Sequence, residues 1–428
     1  MAQRPRTSGG RTNEIRRDVA IVGGGPVGLT LALALDQAGV SVAVVDAAAP
    51  ETALAEHFDG RAFAIAFANY RMWRALGLGA ALDPVVQPIE KIMVTDGRPL
   101  GERGKGGPSL LHLFFDSREL SEGAEPLGYM VENRHLRLAL DEAVRKSNIA
   151  RIAPMSVERF ERDASGVTLS LKDASTIRSD LIVGCDGRRS FVRGELGIRT
   201  IGWRYEATAI VATVGHEKPH EAVAHEFFLP NGPFAILPLT GDRANIVWAE
   251  PPKIVEAILA LSKEDFLIEL KRRFGDFLGD VWLEGPRFSY PLSLQLAEKM
   301  IAPRAALAGD SAHGIHPIAG QGLNMGLKDA AALAECIADC AALGLDAGDE
   351  SALVRYERWR RFDNVSMAYA TDFFDRLFSN DRAPIRLARD LGMAAVNAAG
   401  PARRFFMRAA GGAAGNLPKL LKGESLAA

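Results

Sequence analysis

The chain alternates between two hydrophobic periods, and the points where it switches mark its elements. Residues 18–23 are a short, continuous apolar run, the pattern of a strand buried on both faces. Residues 26–39 carry Val27, Leu29, Leu31, Leu33, Leu35 and Ala38 in a helical stretch that Gly39 stops. Residues 40–46 are apolar again and end on Asp46, which completes a strand–helix–strand unit with a right-handed crossover. Further along, the pattern predicts a helix over 60–82, a Gly-rich loop over 101–107, and an amphipathic helix over 133–144 with Leu136, Leu140 and Val144 on one face. Residues 155–180 alternate as strands do, and 181–184 are another buried strand. From 203 to 290 strand-like stretches dominate (208–214, 224–229, 234–237, 245–248), interrupted by one amphipathic helix over 262–278. Residues 305–308 return to buried-strand character, 322–343 to a long helix, and 350–425 are mostly helical.

This order predicts an α/β fold: a Rossmann-like domain assembled from 18–202 and 291–399, an inserted sheet-rich domain at 203–290, and a helical C-terminal region. Residues 1–17 are polar and carry Arg4, Arg6, Arg11, Arg16 and Arg17; they read as a disordered leader, with a transit peptide as the other reading. Residues 400–428 read as a basic amphipathic tail, with Arg403, Arg404 and Arg408 beside Phe405, Phe406 and Met407, then Leu417, Leu420 and Leu421 beside Lys419 and Lys422. Such a tail can lie on an anionic membrane or a partner, or pack back on the body. In the first case truncation after Pro401 is expected to spare cofactor binding.

Composition changes this picture little. With 428 residues and 48% apolar content the chain can build a large core, and a formal charge of -2 gives no reason to expect nucleic acid. Cys185, Cys336 and Cys340 are too few and too irregular for a disulfide framework and have no nearby co-ligands, so ordinary thiols and no metal are expected. No apolar run reaches the roughly 18 residues that cross a bilayer.

Candidate chemistry begins at Gly23-Gly-Gly25-Pro26-Val27-Gly28, which follows a strand and opens a helix. Gly23 permits the turn, Gly25 lets a pyrophosphate approach the backbone, and Gly28 lets helix and strand pack closely, while Asp46 can accept hydrogen bonds from a ribose. This motif alone leaves NAD and FAD both open.

A second constellation, Ala308-Gly-Asp310-Ser-Ala-His313-Gly-Ile-His316-Pro317-Ile-Ala-Gly320-Gln-Gly322-Leu323-Asn324, resembles the Gly-Asp fingerprint of the flavin-dependent aromatic hydroxylases, the class A monooxygenases. A third, Gly184-Cys-Asp186-Gly187-Arg-Arg-Ser190-Phe-Val-Arg193, resembles their Asp-Gly motif. Within that class the stretches Asp59-Gly-Arg61-Ala-Phe-Ala-Ile65, Tyr129-Met-Val-Glu132-Asn133-Arg134, Phe288-Ser-Tyr290-Pro291-Leu292 and Arg376-Leu-Phe378-Ser-Asn380 are similar to the ubiquinone-biosynthesis hydroxylases, over residues 18 to about 408. The family's first acid is usually glutamate; here it is Asp46.

The resemblance implies a set of roles. FAD is held by Gly23, Gly25, Pro26, Val27, Gly28 and Asp46, by Asp186 and Gly187 at the pyrophosphate, and by Asp310 at the ribityl chain. Pro317, Gly320, Gly322, Leu323 and Asn324 meet the flavin ring, with Arg61 and Asn133 nearby. NAD(P)H is a co-substrate without a domain of its own, since no second dinucleotide motif is visible. The implied reaction hydroxylates the ring of a polyprenylated phenol with O₂ through a flavin C4a-hydroperoxide. The protein would be cytoplasmic, with peripheral inner-membrane contact or other quinone-biosynthesis proteins as partners. The residues alone name no catalytic base; His313 and His316 are candidates, each also readable as a structural histidine. Phe227, Phe234, Ile236 and Pro238 are expected to form the substrate wall. A hydroxylase of a small soluble aromatic acid, or a flavoprotein scaffold of a membrane-associated complex, remain open alternatives.

Overall fold

The computed structural model describes residues 14–51, 60–98, 107–120, 125–315, 320–378 and 383–427. Two large sheets organise them. The first has six strands, in the order Ile301–Ala302, Ala305–Leu307, Leu181–Gly184, Val19–Val22, Val42–Val45 and Ala150–Ile152. All its pairings are parallel except that of Ile301–Ala302 with Ala305–Leu307. Its central strands are buried along their whole length, because the helices Pro26–Gln37 and Gln321–Ala342 pack against them. That double burial is why these strands read as unbroken apolar runs.

The second sheet has eight strands, in the order His313–Gly314, Val281–Ala297, Thr200–His216, Arg243–Glu250, Gly232–Leu239, Val223–Leu229, Lys91–Arg98 and Gly107–Asp116. Its two faces serve different purposes. Phe227, Phe234, Ile236, Ile246 and Trp248 point outward, into a core closed by Phe266, Leu270 and Phe274 of the helix Lys263–Phe274. Residues of the opposite parity face the first domain. The sheet-rich unit is therefore not the simple insertion 203–290. Strands Lys91–Arg98 and Gly107–Asp116 join it from the N-terminal half, and its long strands extend to Thr200 and Ala297.

Three other expectations are corrected. Glu14–Arg16 is not leader but an edge strand, parallel to Thr176–Ser179, with Ile15 packed on the main core; residues 1–13 lie outside the described residues. The stretch 60–82 opens as the strand Ala62–Ala66, paired with Gly128–Glu132, before the helix Phe67–Ala75 begins. Most of the Gly-rich stretch 101–107 lies outside the described residues, but the strands on either side of it, Lys91–Arg98 and Gly107–Asp116, pair as an antiparallel hairpin.

The second half of the tail packs on the body rather than standing free for a membrane. Leu420 and Leu421 are fully buried in the main core, Lys419 N donates to Glu335 Oε2 at 2.6 Å, and Ala68 N donates to Gly411 O at 3.2 Å. Residues 411–426 thus fasten the helices Phe67–Ala75 and Gln321–Ala342 together. Leu420→Ala should lower stability by about 2–5 kcal/mol, as buried leucine truncations do; an unchanged denaturant midpoint would contradict this packing.

Candidate functional site

A cavity of about 1350 Å³ opens between the two sheets. At one end it is lined by Gly25, Pro26 and Val27, by Gly187 and Arg188, by Asp310, and by Gly320, Gly322 and Leu323. Three motifs far apart in sequence meet there because Val19–Val22, Leu181–Gly184 and Ala305–Leu307 are neighbouring parallel strands whose C-terminal ends share one sheet edge.

The backbone at this end suits an anionic, extended ligand. Two helices start at the cavity with no side-chain cap, Pro26–Gln37 after Gly25 and Gln321–Ala342 after Gly320. Their first N–H groups and positive dipole ends face the space. A Cβ built on Gly25, Gly187 or Gly322 would meet no atom within 4 Å, so bare backbone is presented to whatever fills the cavity. Gly320 has φ +63, which a side chain rarely adopts. The donor set, the open glycines and the uncapped helices together fit a dinucleotide-type pyrophosphate.

The other anticipated residues divide clearly. Asp46 ends its strand as expected, and its carboxylate accepts from Gly24 N and Ala48 N, each at 3.0 Å. It borders a small side pocket with Gly24, Pro26 and Arg137 rather than the main cavity. Arg61 and Asn133 both line the cavity, and Asn133 N donates to Arg61 O at 2.9 Å. Asp186 does not line it. Its Oδ2 accepts from Val192 N at 3.0 Å, beside the Ser190 cap on Arg193 N, while its Oδ1 is buried without a partner.

Asn324 and His313 take structural positions. Asn324 Oδ1 accepts from Ala66 N and Asn69 Nδ2, both at 2.8 Å, and its Nδ2 donates to Ala64 O at 2.8 Å and Gly320 O at 3.1 Å. Those four bonds use the whole capacity of an amide, so Asn324 ties the start of its helix to Ala64, Ala66 and Asn69 rather than touching a ligand. His313 is buried behind the cavity, with Nε2 at 2.5 Å from Asp329 Oδ2; this removes it as a catalytic candidate. His316 and Pro317 lie outside the described residues. The three cysteines are free; Cys336 and Cys340 are buried and Cys185 is partly so, and burial pushes the thiols of Cys185 and Cys336 well up.

The substrate wall is displaced by one residue on each strand. Phe227, Phe234 and Ile236 belong to the outer core, and Pro238 is not a lining residue; the cavity is walled by Phe228, Pro233, Ala235, Leu237 and Val247. Side chains alternate along a strand, so a choice of the wrong parity moves the whole set to the other face.

Among the unanticipated lining residues, Arg137, Arg188 and Glu226 carry the polar chemistry considered next. Arg137, one helical turn after Asn133, donates to its Oδ1 at 3.1 Å and borders both pockets. Arg188 Nε stands 3.6 Å from Asp310 Oδ2 and its NH2 group donates to Ile315 O at 3.2 Å, which ties the Asp-Gly and Gly-Asp turns together. Both signals were in the sequence, at i+4 from Asn133 and inside a quoted motif. Glu226 on Val223–Leu229 is the third, and nothing local marks it.

Comparison with known proteins agrees with this geometry. The family described as FAD binding domain matches residues 16–365. The ubiquinone hydroxylase UbiL of Rhodospirillum rubrum is 49% identical over 96% of this chain and 93% of its own length. The 3-demethoxyubiquinol 3-hydroxylase of Escherichia coli is 32% identical over 91% and 97%. Among solved structures, the p-nitrophenol 4-monooxygenase PnpA of Pseudomonas putida superposes with a TM-score of 0.74 at 20% identity, covering 92% of this chain and 97% of that one, a likeness of fold. The chain belongs to the FAD-binding monooxygenase family, in the group that contains the ubiquinone hydroxylases.

Proposed function

We propose that the protein is an FAD-dependent monooxygenase that hydroxylates the aromatic ring of a polyprenylated phenol in ubiquinone biosynthesis, with NAD(P)H as reductant and O₂ as oxidant. The relatives' names support the reaction. The observation that carries the substrate class is the cavity. Pockets for a single small ligand run to about 300–1,000 Å³, and this one, about 1350 Å³, continues past the glycine-lined end between Leu377, Ala388, Met393, Val396 and Phe406 of the C-terminal helices. That second half is apolar, as a prenyl chain requires. A small aromatic acid would want a free cation there. Arg389 lines this end but is committed to Asp96 at 2.5 Å and to the carbonyls of Leu377 and Phe378.

In this reading Gly25, Val27 and Gly187 hold the pyrophosphate, with Gly28 packing their helix on the sheet, Asp46 holds the ribose, Asp310 the ribityl chain, and Gly320, Gly322 and Leu323 the pyrimidine edge of the flavin. Arg61, Asn133 and Arg137 neutralise and orient the phosphates. Pro317 is assigned a place at the ring by its position in the motif. Bound flavin supplies the redox chemistry and the activation of O₂. The chain's own task is to hold the phenol ring against it and to keep water out. Asp310→Ala should weaken FAD binding about ten- to a hundredfold, since a charged hydrogen bond contributes roughly 1.5–3 kcal/mol. Unchanged flavin occupancy in that variant would remove Asp310 from the site. Deletion of the gene should make a prenylated phenol lacking one ring hydroxyl accumulate, readable by mass spectrometry of quinone intermediates; an unchanged profile would refute the pathway.

No helix among the described residues is long and apolar enough to cross a membrane. The C-terminal helices nevertheless expose Phe373, Leu387, Leu391, Phe405 and Phe406 near the exposed Arg404 and Arg408. This supports peripheral contact with an anionic lipid surface, from which a lipid phenol can be drawn. The protein should sediment with anionic vesicles and not with zwitterionic ones. Equal partition between the two would reject electrostatic contact.

A further inference from the structure

Glu226 is out of place by every rule of the sheet that carries it. Its strand neighbours on the same face, Ala224 and Phe228, line the cavity. Across the sheet it pairs with Ala235 on one side and Val94 on the other, and both of these line the cavity too. Among the described residues it is thus the one carboxylate on a wall that presents mainly apolar side chains, among them Ile92, Val94, Ala235 and Val247. Among the described residues its side chain has no hydrogen-bond or ion-pair partner. It is walled in by protein, so the surface it keeps is the cavity's own. A carboxyl group left unpartnered among apolar residues costs stability. The surrounding fold does nothing to recover that cost; a ligand in the cavity would.

We propose that Glu226 orients the aromatic substrate by a hydrogen bond between its carboxyl group and the substrate's phenolic hydroxyl. This rests on the reading of the substrate as a lipid phenol. Burial pushes the Glu226 carboxyl up to about 8, with no neighbouring charge contributing. Near neutral pH the group is therefore largely uncharged, able both to donate to and accept from a hydroxyl. A substrate carrying its own carboxylate would face an acid at this wall, and Arg389, which lines the same end, is already held by Asp96. The apolar residues around Glu226 would grip the ring, and its carboxyl would fix the rotation of that ring about its own plane. That rotation decides which ring carbon is turned toward the flavin end of the cavity. Glu226 is in this sense a specificity-determining residue, and the hydroxyl is the handle it reads.

The test compares a short-chain prenylphenol with its O-methyl ether on the FAD-loaded protein. Binding is followed by the flavin absorbance change, and coupling by product formed per NAD(P)H oxidised. The wild type should bind the phenol about ten- to a hundredfold more tightly than the ether. Glu226→Leu should erase that preference, keep ether binding, and divert NAD(P)H oxidation to hydrogen peroxide. Glu226→Gln, which keeps a neutral hydrogen bond, should retain part of the preference, and it decides the matter where Glu226→Leu fails to load FAD. A wild-type preference in both variants with unchanged coupling would overturn the role of Glu226. A wild type that neither binds nor hydroxylates the prenylphenol would overturn the substrate reading instead, so the two failures are distinguishable.

Discussion

Asp329→Ala should be among the most damaging single substitutions in the chain, costing about 3–5 kcal/mol, which is a large share of the roughly 5–15 kcal/mol that stabilise a domain. The Asp329 side chain is completely buried on the helix Gln321–Ala342. It accepts from Gly309 N at 3.1 Å, Arg360 Nε at 2.9 Å, Asn364 Nδ2 at 3.1 Å and the His313 ring. Burial alone pushes its carboxyl up, but His313 and Arg360 outweigh this and hold it down at about 2. Truncation would leave the buried Arg360 without its main counter-charge and Gly309 N without its acceptor. Gly309 precedes Asp310, so the same change should loosen the turn that presents Asp310 and lower flavin occupancy. The sign of the pH dependence follows from the depressed folded-state value. The contribution is fully present above the ordinary carboxylate range near pH 4 and is lost as pH falls toward 2. Denaturant titrations should therefore show a wild-type advantage over Asp329→Asn that is constant above pH 4 and shrinks below it. An advantage that grows on acidification would contradict the network.

The second large effect separates two glycines of one motif. A Cβ on Gly28 would sit 2.0 Å from Gly23 O, and one on Gly23 would sit 2.3 Å from Cys185 O. Neither neighbour can retreat easily, because Gly23 N is held by Val45 O at 2.8 Å and Cys185 N by Val22 O at 2.7 Å. Gly28→Ala must therefore push the helix Pro26–Gln37 off the sheet. The cost should exceed the roughly 1–3 kcal/mol of ordinary overpacking, with loss of flavin and most of the soluble protein. Gly25→Ala is the contrast. Its Cβ would meet no protein atom and would project into the space next to the cavity. The melting temperature of the flavin-free protein should stay near wild type while FAD affinity drops at least tenfold. Equal damage from both substitutions would show that Gly25 is a packing residue and that the phosphate path lies elsewhere.

What the sequence disclosed and what it hid divide along one physical line. The strand–helix–strand unit, the three glycine turns and the tryad of strands that brings them together were legible, because each turn's chemistry is local and buried parallel strands leave continuous apolar runs. Strand parity in the second sheet was not legible. Both faces of Gly232–Leu239 are apolar, one against Phe266 and Leu270 and one against the cavity, so hydrophobic alternation gives no sign of which is which. Lys91–Arg98 pairs with Val223–Leu229 across more than a hundred residues, and no local pattern reports such a pairing. Leu420 and Leu421 look amphipathic beside Lys419 and Lys422, and only the position of the helix Phe67–Ala75 makes them core. Asn324 and His313 lie within a true motif, yet their side chains point into the scaffold that holds the motif in place.

One turnover experiment on the purified protein decides whether it hydroxylates the ring of a prenylated phenol. The FAD-loaded enzyme is given NAD(P)H, a short-chain prenylphenol and isotopically labelled O₂, and the lipid product is analysed by mass spectrometry. A ring hydroxylase should show phenol-stimulated NAD(P)H oxidation and place one labelled oxygen atom on the aromatic ring. A protein that binds no FAD, or one that oxidises NAD(P)H at the same rate with and without the phenol and leaves the ring unlabelled, would contradict that function.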